Sequence, residues 1–240
     1  MQAMIFAAGL GTRLQPLTNT KPKAMVEVCG KTLLQHSIEM LIKNGITNII
    51  VNIHHFAYMM KNYIANLNYN VKIQISDESN LLLDTGGGLK NAIKLFNQNE
   101  PIMITNVDIL TNINLQKMLQ HHITSKADAT LAIRKRNSSR YLLFNNNLEL
   151  KGWQNTKTGE VLYTAEKSTF SQFAFSGIHI ISPNIFDKFP NEDVFPIIPH
   201  YLNLAATHKI IGYQHQDDYW FDAGSVEKIA EAEKFLINVK

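Results

Sequence analysis

The sequence predicts an α/β protein, with a doubly wound and mainly parallel sheet in its first half and a lobe of turn-separated strands in its second. Three observations predict it. Short β-branched runs alternate with helical apolar spacing through about residue 105, a glycine-bearing loop follows the first strand, and after about residue 128 the pattern becomes strands and turns. Residues 3–8 read as the first strand. Leu33, Leu34, Ile38, Leu41 and Ile42 recur at helical spacing before an Asn44-Gly45 stop, and 48–53 is the next strand. A helix over 56–67, a strand over 71–75, a helix over 87–96 and a buried strand over 101–105 follow. The second half reads as strands at 129–134, 141–144, 148–152, 161–164 and 173–181, with turns marked by Asn147, Gly159 and Pro183. Helices over 194–206 and 225–236 close the chain, with a strand at 209–213 between them. In such sheets ligands sit outside the carboxyl ends of the strands, so Gly9 onward, His54 and His55, Asp77 and Glu78, and 106–108 are the places to look for chemistry.

No Pro/Ser-rich linker, composition break or internal repeat divides the chain. The reading is one domain over 1–240, a ligand-binding half at about 1–125 and a lobe with closing helices at about 126–240. Of the 240 residues 45% are hydrophobic and 18% charged, and the net charge is +3. So small a surplus gives no stripe that could neutralise many phosphates, and no nucleic-acid partner is expected. The densest basic cluster, Arg134, Lys135, Arg136 and Arg140, reads as a solvated strand end. The single Cys29 excludes an intramolecular disulfide and a multi-Cys zinc site. The N-terminal segment is neither signal peptide nor span, and apolar runs are short, so a cytoplasmic protein without membrane association is expected, as monomer or small homo-oligomer.

The strongest motif is AAGLGTRLQPLTNTKPKAM, residues 7–25. Glycines directly after a strand let backbone N–H groups approach an anion and form a nest for phosphate oxygens. No third glycine stands at the Rossmann spacing and no G-K-[ST] ends the loop, so neither dinucleotide binding nor a Walker-type ATPase is supported. Arg13 and Lys23 add cations at fixed distances, as a triphosphate needs; the bland reading is an ordinary turn with surface cations. Asp108 in ITNVDIL and Asp222 in YWFDAGSVE form a second constellation. A carboxylate after Ile102, Met103 and Ile104 is costly to bury unpaired, so it ligates a cation or caps a helix, and Asp222 has the same two readings. LLLDTGGGLKNA, residues 81–92, leads three glycines into a helix whose N-terminal N–H groups are open to a ligand. The pairs His54/His55 and His121/His122 lack the i, i+4 spacing of a helical metal site, and no G-x-S-x-G elbow supports Ser/His/Asp catalysis.

These motifs together resemble the sugar-1-phosphate nucleotidyltransferases, also called nucleotide-sugar pyrophosphorylases. The resemblance is carried by the Gly9-to-Lys23 segment, by W-F-D-A-G at 220–224 and by FSGIHIISP at 175–183. It is greatest to the short bacterial members acting on N-acetylmuramate 1-phosphate, heptose 1-phosphate or mannose 1-phosphate. It implies a Rossmann-like three-layer α/β/α nucleotidyltransferase fold with a mainly parallel, mixed sheet and a small sugar-binding β lobe. It further implies that Arg13 meets the β and γ phosphates and that Lys23, with Lys21 as a neighbour, meets the α-phosphate and the sugar phosphate. Asp108 and Asp222 would hold Mg²⁺. Ala8, Gly9, Leu10, Gly11 and Thr12 would cradle phosphate, and Asp84, Thr85 and Gly86 would touch base and ribose. Glu78 falls where family members place a base-reading side chain; a carboxylate only accepts hydrogen bonds, which favours UTP or GTP over adenine and cytosine nucleotides. Gly177, with Ser176, would lie under the sugar. Glu166 and Lys167 stand where many members carry a pair that grips the sugar phosphate, with different spacing and flanks.

The expected activity is therefore Mg²⁺-dependent transfer of a nucleoside monophosphate from an NTP to a sugar 1-phosphate, releasing pyrophosphate and giving a nucleotide sugar for cell-wall or surface-glycan synthesis. Two other classes compete. A glycosyltransferase of related fold would show D-x-D where this chain has Asn106-Val107-Asp108, and a non-catalytic sensor would be expected to have lost Arg13, Lys23 or an aspartate.

Overall fold

The computed structural model describes residues 1–164 and 169–239. In chain order the elements are β1 (Gln2–Phe6), β2 (Glu27–Val28), β3 (Lys31–Thr32), α1 (Leu33–Lys43), β4 (Asn48–Ile53), α2 (Ala57–Ala65), β5 (Lys72–Asp77), α3 (Asp84–Ala92), β6 (Ile102–Asn106), β7 (Ile109–Thr111), α4 (Leu115–Thr124), β8 (Ala129–Arg134), β9 (Arg140–Phe144), β10 (Leu150–Asn155), β11 (Val161–Tyr163), β12 (Ser171–Ile181), α5 (Ile197–Leu204), β13 (Ile210–Gln214), β14 (Trp220–Asp222) and α6 (Val226–Asn238).

The order β5-β4-β1-β6 is parallel throughout, and β12 adds antiparallel to β6. The mixed, mostly parallel sheet between helical layers is the fold the sequence predicts. Strand periodicity is the cause. In β1, Ala3 and Ile5 enter one apolar cluster and Met4 the other; in β4, Ile49, Val51 and Ile53 enter the first and Ile50 the second. Helices α1, α2, α4 and α6 cover the first face, and α3 and α5 the second.

Local chemistry sets the helix ends. The Thr32 hydroxyl accepts from the Gln35 amide at 3.1 Å while the Gln35 side chain accepts from the Thr32 N–H at 3.0 Å, a reciprocal cap that starts α1. Gly45, at φ +80°, ends it where the sequence predicts.

The predicted helix over 87–96 instead begins at Asp84 and takes in all three glycines. The reason is packing. A Cβ on Gly86 would overlap the Phe195 ring, one on Gly87 would overlap the Asp193 carbonyl, and one on Gly88 would lie 2.7 Å from the Glu78 carboxylate. Gly86→Ala is expected to destabilise the fold by about 1–3 kcal/mol, the scale of overpacking, read as a lowered melting temperature.

Strand β12 is the hinge of the sheet design. Its start pairs with β9 and its end with both β6 and β8, with a register shift between Phe175 and His179. Gly177 lies in that shift at φ +77°, where a Cβ would come within 2.8 Å of Ile109.

The histidine pair on α4 is structural. His122 is buried, with Nδ1 2.9 Å from the Thr130 hydroxyl and Nε2 2.8 Å from that of Ser182. Burial pushes its pKa down to about 4. The unfolded chain, titrating near 6.5, takes up this proton first. The stability His122 contributes is therefore full above about pH 6.5 and is lost as pH falls toward about 4. His122→Asn is expected to flatten the decline of melting temperature across that window; an unchanged slope would exclude this source.

Candidate active site

The loop after β1 is built around Gly11, at φ +69°. The Thr18 hydroxyl donates to the Gly11 carbonyl at 2.9 Å, and a Cβ on Gly11 would press on Lys23 Cβ and Thr18 Cγ2, both at 3.0 Å. The Pro-Leu-Thr segment thus folds the glycine loop down onto the lysine segment. Around Gly9 there is open space, and Leu10, Thr12 and Arg13 are exposed.

A ribbon of two short strands that the sequence reading passes over brings the distant aspartates together. In β7 and β14, Ile109 pairs with Asp222 and Leu110 with Phe221, and the Ala223 amide donates to the Asp108 carbonyl at 2.8 Å. Neither aspartate caps a helix: Asp108 is followed by a strand, and α6 is capped by the Ser225 hydroxyl. Lys23 donates a short charged hydrogen bond to Asp108, with both side chains largely buried. Asp222 accepts from the Gly224 amide at 3.0 Å and from Lys228 Nζ at 2.9 Å. Burial would raise the Asp222 pKa, but the bond to Lys228 and the charges of Lys228, Arg13 and Lys23 hold it below the usual carboxylate range. Arg13, Lys23, Asp108 and Asp222 therefore converge on one spot at the carboxyl edge of the sheet.

Lys228 was not read from the sequence. The available signal was its place in the first turn of α6, where the helix dipole disfavours a cation. A lysine there is matched by a fixed carboxylate.

A cavity of about 390 Å³ opens at the start of the loop that carries Arg13, lined by Ala8, Gly9, Glu78, Asp84, Thr85 and, among others, Asn52. Five residues expected at a nucleotide thus share one cavity. A second cavity of about 480 Å³ shares Thr85 and is walled by Tyr141, Trp153, Leu162 and Phe175, with Arg140 and Glu160 also in its lining.

Residues 2–239 match the family described as Nucleotidyl transferase. The chain belongs to that family. This nucleotidyl transferase is 30% identical to N-acetylmuramate alpha-1-phosphate uridylyltransferase of Caulobacter vibrioides, over 98% of the chain and 96% of the relative. It is 28% identical to D-glycero-alpha-D-manno-heptose 1-phosphate guanylyltransferase of Aneurinibacillus thermoaerophilus, over 98% of each. It spans 61% of the longer mannose-1-phosphate guanyltransferase beta-B of Xenopus laevis, which matches 93% of this chain at 26% identity. A solved UDP-glucose pyrophosphorylase complexed with UDP-glucose shares the fold at TM-score 0.80 and 20% identity, covering 100% of this chain and 99% of that one. HddC from Yersinia pseudotuberculosis complexed with GMP-PN does so at 0.77 and 22%, covering 98% and 99%.

Three of the expected site residues of this nucleotidyl transferase have protein partners that the sequence does not show. Glu78 is buried, its carboxylate accepting from Asn52 Nδ2 at 2.7 Å and from the Leu83 amide at 3.4 Å. Burial raises its pKa against those two donors. Asn52 in turn accepts from the Ala7 amide at 2.7 Å, so Glu78 ties β4 and β1 to the cavity wall with part of its acceptor capacity while lining that cavity. Gly86 is packed against Phe195, whose carbonyl accepts from the Gly86 amide at 2.8 Å, and so fixes the start of α3. The Ser176 side chain is fully buried, its hydroxyl 2.7 Å from His215 Nε2. His215 Nδ1 lies 2.8 Å from Asp218. This Ser-His-Asp order has no access to a substrate and serves packing. Gly177 is required by its backbone conformation, and Lys167 lies outside the described residues.

Among the described residues no group of three His, Cys, Asp or Glu side chains is placed to hold a metal, and no helix is long and apolar enough to cross a membrane. The donors suited to a hard divalent cation are the paired Asp108 and Asp222 carboxylates. Gly224 is packed against Asp222 and Arg13: a Cβ there would lie 2.6 Å from Asp222 Oδ1 and 2.8 Å from Arg13, so the glycine lets both approach the backbone closely.

Proposed function

We propose that this protein transfers a nucleoside monophosphate, from UTP or GTP, to a sugar 1-phosphate and releases pyrophosphate. The convergence of Arg13, Lys23, Asp108 and Asp222, with the cavity of Ala8, Gly9, Asp84 and Thr85 at the start of the loop that carries Arg13, carries this reading. Full-length likeness to uridylyl- and guanylyltransferases of N-acetylmuramate and heptose 1-phosphates supports it.

The acceptor phosphate is already ionised and nucleophilic, so no side chain has to remove a proton. The chain's task is positioning and charge neutralisation. The amides after β1 would hold the triphosphate, Arg13 would neutralise the leaving pyrophosphate, and Lys23 would move from Asp108 toward the α-phosphate and the incoming oxygen. Asp108 and Asp222 would hold Mg²⁺, which when bound supplies charge neutralisation to phosphate oxygens. The second cavity, which shares Thr85, would take the acceptor sugar.

The test is a pyrophosphate-release screen of UTP, GTP, dTTP and CTP against N-acetylmuramate, heptose and mannose 1-phosphates. Release with UTP or GTP and one of these acceptors is expected. Release of free sugar from a nucleotide sugar, without pyrophosphate chemistry, would overturn the reading.

A further inference from the structure

Within the basic cluster at the end of β8, Lys135 and Arg140 are exposed as the sequence suggests, but Arg134 and Arg136 are not. Arg134 Nη1 lies 3.4 Å from Asp218, with both side chains largely buried. Arg136 places its guanidinium carbon 4.5 Å from the centre of the Trp220 ring. Its Nη2 donates to the Phe175 carbonyl at 3.0 Å and its Nη1 to the Asn137 carbonyl at 3.3 Å. Arg136 Nε is buried and has no partner among the described residues. A guanidinium has five N–H donors. The Nε–H and the second hydrogens of both terminal nitrogens therefore have no partner in these bonds.

The platform under Arg136 is held from below. Trp220 Nε1 donates to the Ser176 carbonyl at 2.9 Å, and the Ser176 hydroxyl, His215 and Asp218 continue the chain of hydrogen bonds to Arg134. The platform also has two functional neighbours. Trp220 is two residues before Asp222 in β14, and Phe175 is two residues before Gly177 and lines the second cavity. Burial lowers the Arg136 pKa, while the charge of Asp222 acts in the opposite direction, which places the two within electrostatic reach. A buried cation with an open donor costs free energy unless an anion meets it.

We propose that Arg136, held over the ring of Trp220, which stands two residues before Asp222, is the binding residue for the phosphate of the acceptor sugar. This rests on the sugar-1-phosphate reading above and names the cation that serves its acceptor. The planar fork suits a phosphate with two N–H donors at once, which a lysine cannot reproduce.

The test is steady-state pyrophosphate release with UTP and GTP against N-acetylmuramate 1-phosphate and mannose 1-phosphate, with KM measured for each substrate. Arg136→Met is expected to raise KM for the sugar phosphate about 10- to 100-fold, the range for a lost charge-assisted hydrogen bond. KM for the nucleotide should change less than about twofold, and Arg136→Lys should recover only part of the loss. Lys135→Met, which removes the exposed neighbouring cation, should leave both KM values unchanged. Parallel rises in both KM values with a lowered melting temperature would make Arg136 structural and overturn the assignment. So would an unchanged acceptor KM, or a rise seen in Lys167→Met alone. If the wild-type enzyme releases pyrophosphate with no sugar phosphate, the reading of the reaction falls and the Arg136 role with it.

Discussion

Replacing Lys23 by alanine is expected to lower turnover at least about 10²-fold, the scale for removing one preorganised electrostatic group. Among the described residues Lys23 is the one cation that both bonds Asp108 and acts on Asp222. Its stem also packs against Gly11, so the loop that would hold the triphosphate and the lysine that would meet its α-phosphate are placed by the same contact. Removing the ammonium leaves Asp108 largely buried without its charged partner, which costs stability as well as rate. Lys23→Met separates loss of the charge from loss of the stem's packing, because it keeps the stem. Single-turnover pyrophosphate release should fall in both variants, with melting temperature measured alongside. Near-wild-type turnover in Lys23→Ala would sink the mechanism.

Asp222→Asn is expected to have a loss of similar size. The amide keeps the shape and can still accept from Gly224, but it removes the charge that Lys228, Arg13 and Lys23 surround. The site then carries three cations against Asp108 alone, and one of its two hard oxygen ligands becomes neutral. The second readout is independent of turnover. Magnesium should raise the melting temperature of the wild-type protein by mass action and raise that of Asp222→Asn much less. Equal stabilisation of both proteins by magnesium would place the ion elsewhere.

Lys228 alters the electrostatics expected from the four residues seen in the sequence. Two aspartates against Arg13 and Lys23 read as a balanced site, whereas the folded site has a third cation on Asp222. That third cation would favour an anion such as a triphosphate even without a metal ion.

Much of this was legible in the chain itself. The strands β1, β4 and β6 announce themselves through apolar runs, because a parallel strand covered on both faces needs no polar alternation. The loop of Gly9 to Lys23 is legible because its parts are near in sequence and its glycine serves a backbone conformation that few other residues adopt. The β7–β14 ribbon was not, since each strand is three residues long and is defined only by its partner more than 100 positions away.

By itself, then, the sequence determined the layered α/β fold, the loop after β1 and the identity of the four charged residues, all of which follow from local periodicity, local conformation and residue chemistry. Tertiary structure alone decided what each neighbouring group does. It put Lys228 on Asp222, turned Glu78 to Asn52 and Ser176 to His215, set Gly86 against Phe195 and laid Arg136 on Trp220. The physical reason is that burial and pairing are properties of two segments at once. A side chain's charge can be read from its own position, but the partner that sets its role comes from a distant part of the chain.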